Sequence, residues 1–200
     1  MFAILDILNS IVVGGFIILM SFGILDSTNK NLYSHNDDLI VQENLTNITS
    51  TLEFDLKKMG FGVPEYENAV LQADSTHLRF RGDLNLDWHA DTIEYYVGPV
   101  SEMAKTSNPD DRIFYRKVNG KPASGFIVGI ITDFNFEYLN QDGIIVDTSI
   151  PANLVAVKMI RVTLKVENPA AYSNDSNPDK LEYRSSFWQQ TRLVSRNLRR

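Results

Sequence analysis

From Ile11 to Leu25 the sequence IVVGGFIILMSFGIL holds no charged residue, and extending it back to Phe2 adds only Asp6, Asn9 and Ser10 as polar interruptions. About 20 apolar residues are enough for a helix to cross the hydrocarbon core of a bilayer. A cleaved secretory signal has a basic stretch before its apolar run and small residues after it. Here the first basic residue is Lys30, and Asp26-Ser27-Thr28 follows the run. Residues 1–25 are therefore expected to form a retained transmembrane helix. Asp6 is the unusual member, because an acid at mid-span costs about 2.5 to 3.5 kcal/mol. Two explanations stand: an interfacial position favoured by the positive end of the helix dipole, or pairing with a cation of a neighbouring subunit, which relieves a lone buried charge.

Residues 26–60 are expected to continue this helix as an amphipathic spine. Val41, Leu45, Ile48, Leu52, Leu56 and Met59 recur at steps of three and four, which defines one apolar stripe, while Gln42, Glu43, Asn47, Ser50 and Lys57 fill the other faces. Gly60, Gly62 and Pro64 supply a stop. A helix running unbroken from Phe2 to Met59 would be about 85 Å long at a rise of ~1.5 Å per residue. Between Asp26 and Asp38 a break stays open, since Ser34 followed by Asp37 could cap a separate helix.

After Pro64 the period changes to two, and residues 61–200 are expected to form a β-rich domain, which makes the whole an α+β chain. Phe134, Phe136 and Tyr138 alternate with polar residues, as do Ile160, Val162, Leu164 and Val166. Further strands are expected near His77–Arg81, Thr92–Val97, Arg112–Val118, Phe126–Ile131 and Leu181–Trp188, with turns at Asn119-Gly120 and Asp142-Gly143. Val155, Val157 and Met159 fall on the opposite parity from Ile160, which predicts a bulge or a strand junction there.

These residues carry a family resemblance. Phe2-Ala3-Ile4-Leu5-Asp6-Ile7-Leu8 is similar to the start of a processed type IV pilin: an aromatic residue, three small or apolar ones, an acid, then an apolar helix. The order of long helix and antiparallel sheet resembles the minor pilins and type II secretion pseudopilins, in particular the PilW-like and GspJ-like branch. Asp55-Leu56-Lys57-Lys58-Met59-Gly60-Phe61-Gly62, the strand Phe134–Tyr138 leading to an Asp-Gly turn, and Ser195-Arg196-Asn197-Leu198 have the same look. The resemblance implies that a peptidase exposes Phe2 as a methylated N-terminus and that the amine of one subunit is matched by Asp6 of the next. It departs from the family in three places, with Asp6 where glutamate is usual, Met1 where a basic leader ends in glycine, and Asn9 and Ser10 making the next turn more polar than a typical pilin start. Processing at Phe2 and escape from the peptidase both remain open.

Other chemistry finds little to stand on. A net charge of −6 argues against phosphate-backbone binding, and with no cysteine there are no disulfides or thiolate metal sites. His35, His77 and His89 lack metal-ligand spacing, and no nucleophile-elbow or zinc-protease motif occurs. Asp83, Asn85 and Asp87 alternate like calcium ligands but lack the glycine and closing glutamate of an EF-hand loop. Ser173–Asp179 reads as a surface connection, and the sequons at Asn44 and Asn47 fall on the expected helix. Arg192, Arg196, Arg199 and Arg200 read as a solvated terminus.

No catalytic residue, metal or cofactor is expected. The resemblance implies a pilin-like subunit held in the cytoplasmic membrane, its β domain periplasmic, with other pilin-like subunits and a prepilin peptidase as partners. The rival expectation is a single-pass anchored periplasmic binding or sensor module that does not polymerise.

Overall fold

A computed structural model of the chain describes residues 2–120, 126–168, 172–174, 177–183 and 185–193. The chain divides into two units, one reaching Leu39 and the other starting at Ile40. Both contain part of α1 (Phe2–Lys57), a single helix of 56 residues. The break left open across Asp26–Asp38 does not occur. That stretch contains neither glycine nor proline, and Lys30 pairs with Asp26 one turn away at 3.0 Å. In the first unit the described apolar side chains, among them Ile4, Ile11, Phe16, Leu19 and Phe22, are exposed on every side of the helix. By length and composition this helix is able to cross a membrane.

In the second unit the helix changes character. Val41, Ile48, Leu52 and Leu56 are buried and Leu45 packs against them, so the stripe is a core face. The helix ends at Lys57, slightly before the expected Met59, which is buried in the turn that follows. That turn is fastened to the sheet, with Gly60 N donating to Arg81 O at 2.8 Å and Asp83 N to Phe61 O at 2.9 Å.

The strands are β1 (Val70–Ala73), β2 (His77–Gly82), β3 (Asp91–Val97), β4 (Arg112–Val118), β5 (Phe126–Ile131), β6 (Asp133–Leu139), β7 (Met159–Glu167), β8 (Tyr172–Asn174), β9 (Asn177–Glu182) and β10 (Ser185–Leu193). All named pairs are antiparallel: a five-stranded sheet in the order β1-β2-β3-β4-β5, a three-stranded sheet β10-β7-β6, and the hairpin β8-β9. The architecture is α+β. Alternation in β6 and β7 sends Phe134, Phe136 and Tyr138, and Ile160, Val162, Leu164 and Val166, into the core. Aromatic contacts run from one sheet to the other: Tyr95 stacks on Phe114 at 5.4 Å, and Phe114 meets Phe134 at 4.6 Å.

Several local expectations are corrected. The parity change before Ile160 is not a bulge, because Pro151–Ala156 forms a 3-10 helix and β7 starts only at Met159. The strand expected over Leu181–Trp188 is two strands, since β9 pairs with β8 while β10 pairs with β7. Part of the expected surface connection Ser173–Asp179 belongs to that β8-β9 hairpin. The turn at Asp142-Gly143 leads back to a lone bridge, Leu139 to Ile145, and not to a paired strand. Asn119 and Gly120 both take left-handed φ, 55° and 63°, as a turn between strands requires. Asn119 Nδ2 also reaches Asp91 Oδ1 at 2.6 Å. The closing arginines Arg196, Arg199 and Arg200 lie outside the described residues.

Candidate functional site

The two ends of α1 carry the residues of interest. Phe2 opens the helix, with its side chain and Met1 outside the described residues. Asp6 lies four positions on, which in an α-helix is the same face one turn away, a rise of about 6 Å. The Asp6 side chain is exposed and stands in an otherwise apolar turn between Ile4 and Ile7. Its backbone carbonyl accepts a hydrogen bond from Ser10 Oγ at 2.8 Å, which removes that hydroxyl from the apolar surroundings. Among the described residues no cation is paired with the Asp6 carboxylate.

The other end is fixed inside the β domain by the six stripe residues and by two polar side chains. Asn44 Nδ2 donates to Ile130 O at 2.8 Å, so the first sequon asparagine is engaged in packing. The helix lies so close to β5 there that a Cβ on Gly129 would stand 2.3 Å from Asn44 Oδ1 and 2.6 Å from Ile48 Cδ1. Only glycine permits that approach.

Asp55 is the residue whose role the stripe did not reveal. The residue is buried, and its carboxylate accepts hydrogen bonds from Tyr95 Oη at 2.7 Å and Arg116 Nε at 2.6 Å, both to Oδ2, and from Arg116 Nη2 at 3.2 Å to Oδ1. This is a forked arginine–carboxylate pair with a phenol completing the shell. Burial, reinforced by the adjacent carboxylate, pushes the Tyr95 phenol well above its ordinary pKa. Burial opposes the charge on Arg116, but its hydrogen bonds and attraction to Asp55 prevail and hold the guanidinium above its usual value. The available signal was an acid at position 55, three residues after Leu52 and seven after Ile48, within the width of the apolar face.

The candidates for other chemistry are accounted for locally. Asp83, the first of the alternating acids, is buried and accepts backbone N–H bonds from Leu86 at 2.7 Å, Asp87 at 3.3 Å and Trp88 at 3.0 Å. Its oxygens shape a tight loop in which Leu86 and Trp88 take left-handed φ of 64° and 67°. His77 Nε2 lies 2.8 Å from Glu94 Oε1, and His89 is exposed beside Asp87. A shallow cleft beside Pro64, Val70 and Leu154 contains Glu65 and Glu67, and Arg81 binds Glu67. Among the described residues no three histidine, cysteine or acidic side chains come together to hold a metal.

Compared with protein families, with curated proteins and with solved structures, the chain matches none.

Proposed function

We propose that this chain is a membrane-anchored assembly subunit of the pilin and pseudopilin kind, which polymerises through its N-terminal helix and does not catalyse a reaction. Before assembly, the apolar half of α1 lies in the cytoplasmic membrane and the β domain stands in the periplasm. On assembly, helices of several subunits pack together, and Asp6 receives the terminal amine of a neighbour whose chain starts at Phe2. Other pilin-like subunits, and a prepilin peptidase that prepares Phe2, are the partners this scheme requires. The outcome is a type IV pilus or a secretion pseudopilus, with mechanical work supplied from outside the chain.

The supporting observation is the pair of acids on one uninterrupted helix. Asp55 has its cation within its own domain, while Asp6 stands exposed between apolar neighbours, with Asn9 and Ser10 one turn on, and has no cation among the described residues. An acid in an oily layer is tolerated when another group matches its charge.

The test is incorporation. In cells that assemble the filament, Asp6→Ala leaves the chain in the membrane but out of the sheared or purified fibre, and mass analysis of wild-type material finds methylated Phe2 at the N-terminus. An Asp6→Ala chain that enters the fibre as well as wild type overturns the reading. So does a wild-type chain that keeps Met1 and is never recovered with partner subunits, the result expected of an anchored binding or sensor module.

A further inference from the structure

The loop between β2 and β3 holds two apolar side chains out in solvent. Leu86 is 62% and Trp88 84% exposed, and both take the left-handed φ that a residue with a Cβ rarely adopts. The buried Asp83 carboxylate keeps them there through the backbone N–H groups of Leu86, Asp87 and Trp88. Leu84 N donates to Asp91 Oδ2 at 3.2 Å, and Lys58, 4.4 Å from the Phe54 ring, binds Leu84 O. The loop is thus braced both from β3 and from the turn that closes α1. A tryptophan on so rigid a mount has little freedom left to lose on contact, and tryptophan is enriched among the residues that dominate interfaces.

The neighbours of Trp88 speak against a lipid surface. Asn85, Asp87 and His89 alternate with Leu86 and Trp88, so an indole entering a bilayer would carry the Asp87 carboxylate with it. Hydrogen bonds from Asn85 Nδ2 and from His89 N, each 2.8 Å, hold that acid below its ordinary pKa. A site matched to Trp88 is therefore apolar inside and cationic at its rim.

The chain itself carries such a site. The cleft between the turn after α1 and the 3-10 helix has a volume of about 260 Å³ and is lined by Val63, Pro64, Val70, Leu154, Val155 and Val157. That is below the roughly 300–1,000 Å³ of a small-molecule pocket and suits one large side chain. Lys158 also lines it, and no acid is paired with its ammonium among the described residues. Of the two acids there, Glu67 is bound by Arg81, while Glu65 is exposed and can accept a hydrogen bond.

We infer that Trp88 of one copy of this chain enters the cleft of a second copy, with Asp87 against Lys158 and the indole N–H on Glu65. Knob and cleft are different surfaces, so the contact is heterologous and repeats from copy to copy. It rests on the assembly reading only in that copies must meet, and it uses neither Phe2 nor Asp6.

The test uses the full chain in detergent, which has no cysteine of its own. One tagged version carries His89→Cys beside the knob, a second carries Asn68→Cys at the cleft, and the two are mixed under mild oxidation. The expected product is a disulfide-linked pair of the two tags. Trp88→Asn in the knob chain lowers its yield about tenfold or more, and asparagine tolerates the positive φ, so the loop is kept. Val155→Asp in the cleft chain, at a position 58% exposed, does the same. Trp88→Asn moved to the cleft chain leaves the yield unchanged, because that chain supplies only the cleft. Asp87→Lys in the knob chain weakens the link, and Lys158→Glu in the cleft chain restores it. Asp6→Ala in both chains leaves it in place, so a lost link and lost fibre incorporation are separate results. Absence of the linked pair, a yield indifferent to Trp88→Asn in the knob chain, equal loss when Trp88→Asn is in either chain, or a link that vanishes with Asp6→Ala overturns the contact.

Discussion

Asp6 and Asp55 are two acids on the same helix, and they meet opposite circumstances. Asp55 is wholly buried and holds a phenol and a forked guanidinium supplied by strands β3 and β4 of its own chain. Asp6 stands exposed on a turn of apolar side chains and has no cation among the described residues. A helix can therefore use the same residue type for folding at one end and keep it for another molecule at the other. The difference lies in where the matching charge comes from.

The comparison breaks most visibly at Arg116. Arg116→Ala leaves the Asp55 carboxylate buried and uncompensated, so the folded chain should lose about 3–5 kcal/mol, measured as a drop in denaturant midpoint. Joint replacement by Asp55→Leu and Arg116→Met should recover most of that loss, because two apolar side chains need no partner. A loss under about 1 kcal/mol, the size found for exposed ion pairs, would mean that water reaches Asp55 and that the two acids are not so different.

Next in size is the contact that brings the helix to β5. Gly129→Ala forces a methyl group onto Asn44 Oδ1 and Ile48 Cδ1, and overpacking of this kind costs about 1–3 kcal/mol. The same measurement applies. Asn44→Ala, which clears part of the clash, should make the Gly129→Ala change less harmful than in wild type.

Much of this arrangement was legible beforehand, for reasons that also explain the failures. The stripe from Val41 to Leu56 repeats with the helical period, and β6 and β7 repeat with the period of two, so local spacing alone exposes the buried faces. By contrast, β1 has only four residues and a register irregularity between Val70 and Gln72, which erases any alternation. The split between β9 and β10 is invisible locally because their partners, β8 and β7, belong to different sheets. Asp55 escaped for the same reason: Tyr95 lies 40 residues away and Arg116 lies 61. A pattern can show that an acid falls on an apolar face, but the cation that makes it tolerable is set by tertiary structure. Asp6 was noticed because its neighbours are so apolar that the charge stands out without any knowledge of the fold.

A smaller effect separates the buried end from the exposed one at high pH. Tyr95 and Tyr138 are buried, and burial raises both phenols well above their ordinary pKa, with the charges of Asp55 and Asp74 adding to it. Below pH ~10 these tyrosines are neutral in both folded and unfolded chains. As pH rises beyond that, the unfolded chain loses the protons first, so stability falls by up to about 1.4 kcal/mol per pH unit for each such tyrosine. Tyr138→Phe should flatten this alkaline slope in denaturant titrations, at the expense of the hydrogen bond to Asp74 O. A slope unchanged in the variant would mean that Tyr138 ionises as freely in the fold as outside it.

The smallest effect on folding is expected where the functional effect is largest. Asp6→Ala removes a charge that contacts no cation among the described residues, so the unfolding midpoint of the detergent-solubilised chain should shift by no more than the roughly 0.5 kcal/mol typical of exposed positions. The backbone bond from Ser10 to the Asp6 carbonyl does not depend on the side chain and survives the change. A drop comparable to that of Arg116→Ala would give Asp6 an intrachain partner and erase the contrast with Asp55. A neighbour's amine would then have nothing left to do. If stability holds while fibre incorporation fails, the missing cation must come from outside the chain, since no interaction within it has been lost.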